Sequence, residues 1–210
     1  IGQLRSVVER LRQPALAWVF VFAVGMTVFN HLPYELAQPY LALVLDEPAG
    51  GGLTPAASGV VMATMMTVAA GASRASAFLA ARLSTARVLL GAMLVQGVVI
   101  AGMGLWLHPA IVVLLLARSI PGAVAGPVQL AVIMPRIPSR LRATYLSVQS
   151  LVGRLAFSGA LMVSAYAVGG LSPLDHPSIA TLCGGFTIAL AVVFAVLLLS
   201  KRALQSPSTA

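Results

Sequence analysis

The chain has 210 residues, of which 59% are apolar and only 9% charged, and its mean hydropathy is +0.97. So few charges cannot clothe a water-soluble globule, and apolar residues spread over the whole length are meant for lipid as well as for a core. Thirteen Lys and Arg against five Asp and Glu leave a net charge of +8. In a membrane chain that excess reports which side the loops face, and it does not call for nucleic acid as a partner. The lone Cys183 excludes an internal disulfide and any Cys-based metal centre. No metal and no cofactor is expected.

Marking the ionisable residues divides the chain into six apolar stretches, and most reach the length of about 20 residues that crosses hydrocarbon. They run from Pro14 to Leu36, Pro55 to Ala81, Val88 to Leu107, Ala110 to Met134, Ala143 to Gly169 and Ser178 to Ser200. Arg5, Arg10 and Arg12 precede the first span, which is too long for the apolar core of a signal peptide and is followed by five more. Near its outer end lie Asn30, His31, Tyr34, Glu35 and Gln38, with Pro33 and Pro39 among them. His31 and Glu35 stand at i,i+4 spacing on one face, a pair that takes and releases a proton near neutral pH or simply ends the helix in wet surroundings before Pro39. Asp46 and Glu47 follow in the first outer loop.

The second span carries Gly59, Ala63, Thr67, Gly71 and Ala75 at every fourth position, a stripe that reads as a packing face, and Arg74 about 10 Å from its inner end. Arg82 and Arg87 lie in the loop that follows. The third span holds Gln96 and is divided from the fourth by His108 and Pro109, because an uncharged run from Val88 to Ala117 is too long for one crossing. The fourth span has Arg118 about 12 Å from its outer end, a Gly122/Gly126 pair, Pro121, Pro127 and Gln129. Arg136, Arg140 and Arg142 precede the fifth, where Tyr145 and Gln149 open the helix. There Ser147, Ser150, Arg154 and Ser158 repeat at three and four residues, and Ala156, Ala160 and Ser164 form another small-residue row. Asp175 lies in the last outer loop, and Lys201 and Arg202 follow the sixth span.

Ten of the 13 basic residues thus fall on one side and none on the other, so both termini are expected in the cytoplasm. The expected fold is an all-α polytopic membrane protein, six transmembrane helices arranged as two inverted three-helix repeats. Residues 1–204 form that unit and the Ser/Pro/Thr-rich residues 205–210 a disordered tail. The repeat follows from proline placement. Pro33 and Pro39 interrupt span one, Pro121 and Pro127 span four, the first members of successive sets of three, and interrupted helices at matching positions mark a transporter's substrate path.

Three arginines remain inside spans, and a charge there must meet a cavity, an anionic solute group or an acid on another helix. Arg154, about 17 Å into its span, is the deepest, followed by Arg118 and then Arg74, whose side chain can reach the headgroups. No mid-span acid neutralises them. Asn30, Tyr34, Ser150 and Gln129 complete the candidate lining of a cavity.

The stretch Asn30-His31-Leu32-Pro33-Tyr34-Glu35 with Gln38-Pro39-Tyr40-Leu41, the run Arg142 to Ser147 with Gln149-Ser150-Leu151 and Gly153-Arg154-Leu155, and the R-x3-G-x3-G spacing of Arg118, Gly122 and Gly126 resemble one half of a major facilitator superfamily transporter. The likeness is to the C-terminal six-helix half and runs from about Arg10 to Arg202. It implies alternating access around a cavity lined by spans one, two, four and five; a small organic solute fits that reading, and the direction of transport stays open. The loop Ala81-Arg82-Leu83-Ser84-Thr85-Ala86-Arg87 keeps two arginines of the family's loop pattern and lacks its Asp and Gly, which speaks against charge-relay gating there. The chain also begins with Ile, and the expected partners are the bilayer, the solute and a missing N-terminal six-helix half, or else a second copy.

Other classes fare worse. An intramembrane hydrolase needs a serine beside a histidine base, but His31, His108 and His176 lie at the outer ends of spans while Ser73 lies near the inner side. A channel needs a ring of charge or a carbonyl filter, and no such loop is visible. A dimer of six-span units doubles the unmatched positive charge.

Overall fold

The computed structural model describes residues 2–45, 53–169 and 175–205, and among these it is all-helical. A short amphipathic helix α1 (Gly2–Arg10) lies at the start. It is followed by α2 (Pro14–Val44), α3 (Leu53–Arg82), α4 (Thr85–Leu105), α5 (Ala110–Ala117), α6 (Ile120–Ile133), α7 (Ser139–Ala167) and α8 (His176–Leu199), and a 3₁₀ turn spans Lys201–Gln205. Six segments are long and apolar enough to cross a membrane: α2, α3 from Pro55, α4, the composite α5–α6 from Ala110 to Arg136, α7 and α8. They match the six expected stretches with ends shifted by several residues. The largest shift is in α2, which continues to Val44 rather than ending at Leu36. Asp46, Glu47 and the tail from Ser206 lie outside the described residues.

α4 sits at the centre and packs most extensively on α8, while α3 packs on α6 and α2 on α7. Burial follows this layout. Of the 18-residue apolar stretch that qualifies each span, 61% is buried in α4 and 50% in α2, against 6% in α3 and 6% in α7. Two helices therefore turn most of their surface outward.

Close approach in lipid depends on small residues, because lipid is as apolar as a leucine side chain and drives no helix together. The glycines that serve this purpose are not those of the expected stripes. A methyl group placed on Gly104 would sit 2.8 Å from Cys183 Cβ and one on Gly97 3.1 Å from Leu190, both at the α4–α8 crossing. One on Gly153 would meet Thr27 Oγ1 at 2.9 Å, where α7 crosses α2. By contrast Gly59, Gly71, Gly122 and Gly126 have nothing within 4 Å of that position, and Ala63, Thr67 and Ala75 are exposed. The every-fourth stripe of α3 is open surface, and the Gly122/Gly126 pair, with Gly126 half-buried, meets no neighbour in the Cβ direction.

Side-chain hydrogen bonds to carbonyls tie the two ends. At the end that carries the basic loops, Trp18 Nε1 donates to Leu197 O at 2.9 Å and Tyr145 Oη to Leu16 O at 3.3 Å. Arg136 donates to Val132 O, and Arg142 to Ile137 O and Met134 O, satisfying carbonyls that the end of α6 leaves open. At the opposite end the buried Tyr40 Oη donates to Trp106 O at 2.6 Å and accepts from His108 N at 3.2 Å, fixing the α4–α5 turn against α2. Asp175 caps α8 by accepting from Ser178 N at 2.9 Å, and hydrogen bonding from Ser178 holds its carboxyl below the ordinary range.

Candidate functional site

α2 passes through Pro33 and Pro39 as one continuous helix, which corrects the expectation that both interrupt it. A helix tolerates such prolines when other groups take up the freed carbonyls. Pro33 has no N–H for the carbonyl of residue 29, and that carbonyl, Phe29 O, accepts instead from Gln96 Nε2 of α4 at 3.0 Å. The next carbonyl, Asn30 O, accepts from Arg118 Nη1 at 2.9 Å. Two donors from two other elements thus close the backbone around the buried Pro33.

The fourth span is where the helical hydrogen bonding is interrupted, although Arg118 (φ -53°, ψ -34°) and Ser119 (φ -82°, ψ -15°) keep right-handed helical dihedrals. Arg118 and Ser119 separate α5 from α6, with Pro121 in the first turn of α6, while Pro127 lies inside α6 without ending it. Pro suits the first turn because its missing N–H has no helical partner there. Arg118 is 5% exposed, and besides Asn30 O its Nε lies 3.5 Å from Met65 Sδ of α3. Its guanidinium stands 5.1 Å from the centre of the Tyr34 ring, an additional cation–π contact. Ser119 Oγ donates to Met65 O at 2.9 Å. The joint is thereby held to α2 and α3, and Arg118 meets carbonyl, sulfur and ring rather than an acid. Gly122, in the first turn of α6, is exposed, so an amide without a helical partner opens on the surface beside this joint.

Asn30, Tyr34, Arg118 and Gly122 are therefore brought together. Asn30 Oδ1 is buried with no hydrogen-bond partner. Gly126 and Gln129 lie about one and two turns further along α6 from Gly122, both half-buried. Met65 and Ser119 belong to the same cluster and had no sequence signal, since a methionine in an apolar helix and a serine beside an arginine are both commonplace.

His31 and Glu35 share the exposed side of α2 without bonding to each other. His31 Nδ1 lies 2.7 Å from Thr27 O and must donate to that carbonyl, which leaves Nε2 as the free nitrogen of the neutral ring. The ring rests 5.1 Å from that of Phe157 on α7. Ser150 and Arg154 stand apart from the Arg118 cluster on the exposed face of α7, along an open trough of about 430 Å³ shared with Leu146, Ser147 and Leu151. The loop arginines also separate. Arg82 stacks over Phe78 at 4.1 Å, and Arg87 edges a pocket of about 260 Å³ between α3, α4 and α6.

A hollow of about 650 Å³ lies elsewhere, between α2, α7 and α8, on the side of α7 away from Arg154. Its two hydroxyls are spent on their own helices, Ser164 on Ala160 O and Thr181 on Pro177 O. It presents only apolar surface and collects none of the expected cavity residues.

No protein-family model, curated protein or solved structure matches this chain. Among the described residues six helices are long and apolar enough to cross a membrane, as in an integral membrane protein, and the fourth loses helical hydrogen bonding at Arg118 and Ser119.

Proposed function

We propose that the chain is one six-helix half of a secondary transporter of the major facilitator type, with both termini cytoplasmic, moving a small organic solute by alternating access. The observation that carries this reading is the interrupted hydrogen bonding of the fourth span at Arg118, a buried intramembrane cation beside the Tyr34 ring with the exposed Gly122 one turn further on. Helical hydrogen bonds missing inside a bilayer are tolerated where the segment is covered by protein or lines a cavity, and a neighbouring cation suits a polar or anionic group of a solute. The exposed polar side of α2, with His31, Tyr34, Glu35 and Gln38, supports the same reading, because such a surface does not face hydrocarbon.

The test needs no knowledge of the solute. Cysteines placed at Gly122 and Tyr34 of the full chain in its native membrane should react with a membrane-impermeant thiosulfonate added from either side, while Ile188→Cys on the exposed face of α8 should not. Failure of both site cysteines to react from either side would show that no water reaches the joint, and the transport reading would fall.

A further inference from the structure

We infer that the polar stripe of α7 docks a membrane-embedded helix of another polypeptide segment that carries a carboxylate at the depth of Arg154. The inference rests on reading the chain as one half of a two-part assembly and adds the chemistry of the apposed helix.

Ser147, Ser150, Arg154 and Ser158 are all exposed and lie on one side of α7. Arg154 is the sixteenth of its 29 residues, as far from either interface as that helix allows. Only small residues flank it on the stripe, so another helix can approach closely and hydrogen-bond to the serines. The trough beside Arg154 is walled by residues of α7 alone. A small free anion seated there would have hydrocarbon on its other side, whereas a helix covers the trough and brings its own backbone satisfied.

Among the described residues no acid supplies the counter-charge. Gly153 abuts Thr27 and Phe157 abuts His31, so α2 and α7 run parallel with matching four-residue steps. On that register Glu35 is level with Leu161, seven residues or about 10 Å above Arg154. Helical side chains lean toward the N-terminus, and in parallel helices both lean the same way, so the lean does not close that gap. Glu9 is paired with Arg5 on α1 at 3.2 Å, and Asp175 caps the far end of α8. A second copy related by an axis along the membrane normal keeps every residue at its own depth, so its Glu35 is equally displaced and its Arg154 adds like charge. Charge complementarity therefore calls for a different helix with Asp or Glu at this level.

The experiment uses the full chain in lipid vesicles, with a fluorophore on an added C-terminal cysteine, and synthetic 24-residue Leu/Ala transmembrane peptides bearing Asp, Asn or Leu at the centre. The Asp peptide should associate about tenfold more tightly than the Leu peptide, the range of interhelical polar contacts in bilayers. That preference should vanish in Arg154→Leu, persist in Arg154→Lys and Arg74→Leu, and weaken in Ser150→Leu, which blocks the face without touching the charge. Equal association of Asp and Leu peptides, or a preference unchanged in Arg154→Leu, would overturn the proposal. So would benzoate shifting the fluorescence of the wild type but not of Arg154→Leu while the peptides fail to associate, which would assign Arg154 to a small anion. Cysteine labelling at Gly122 is independent of peptide binding, so failure here and failure of the transport reading are told apart.

Discussion

The α4–α8 crossing and the outward faces of α3 and α7 are built from the same residue types and do opposite things. Gly97 and Gly104 let two helices touch, and a methyl group at either position meets a neighbour at 3.1 Å or less. Gly59 and Gly71, in a more regular stripe, meet nothing. The first region is an interior completed by this chain, and the second is outward surface. Spacing alone does not separate them, because in lipid both a contact and a lipid-facing groove are lined by small apolar residues.

Three substitutions break or sharpen that contrast. The largest effect is expected for Gly104→Val, which forces side-chain atoms into Cys183 and the α8 backbone and should cost about 1–3 kcal/mol or more by overpacking. Thermal unfolding in detergent should show a clear drop, and an unchanged midpoint would mean that α4 and α8 do not cross as described. Gln96→Leu comes next, because it strands Phe29 O in the interior at about 1–3 kcal/mol. In a Pro33→Ala background the restored N–H of residue 33 can take that carbonyl, so the Gln96→Leu penalty should shrink. A double-mutant cycle with no coupling would show that Gln96 does not compensate for the proline. The smallest effect is expected for Gly71→Val, within about 0.5 kcal/mol on the stability of the six-helix unit. A large loss there would place the α3 stripe inside the fold rather than on its surface.

Much of the candidate site was legible as a list and little of it as an arrangement. Polar residues inside apolar stretches announce themselves, and Asn30, Tyr34 and Arg118 do form one cluster. Their partners did not announce themselves. Met65 and Ser119 join the cluster from an ordinary apolar helix and a turn, and Gln96 is explained only by a proline 63 positions away in the sequence. Arg118 and Arg154 looked alike as intramembrane cations. One is roofed and bonded to a carbonyl, while the other lies open on α7. The short helix α1 was missed altogether, although Arg5 and Glu9 at i,i+4 spacing carry its signal.

The sequence by itself determined the six spans and the segregation of basic residues to one side. Length and hydropathy are local quantities, and the bilayer leaves a long apolar stretch no alternative to a helix. It also determined that Pro33 would free a carbonyl. Tertiary structure decided which donors take the carbonyls there, that the fourth span loses helical hydrogen bonding at Arg118 while the first runs through its prolines, and which glycines are contacts. The reason is that these helices have almost no polar side to turn outward. A leucine against lipid and a leucine against another helix read the same in sequence, and only packing assigns the faces.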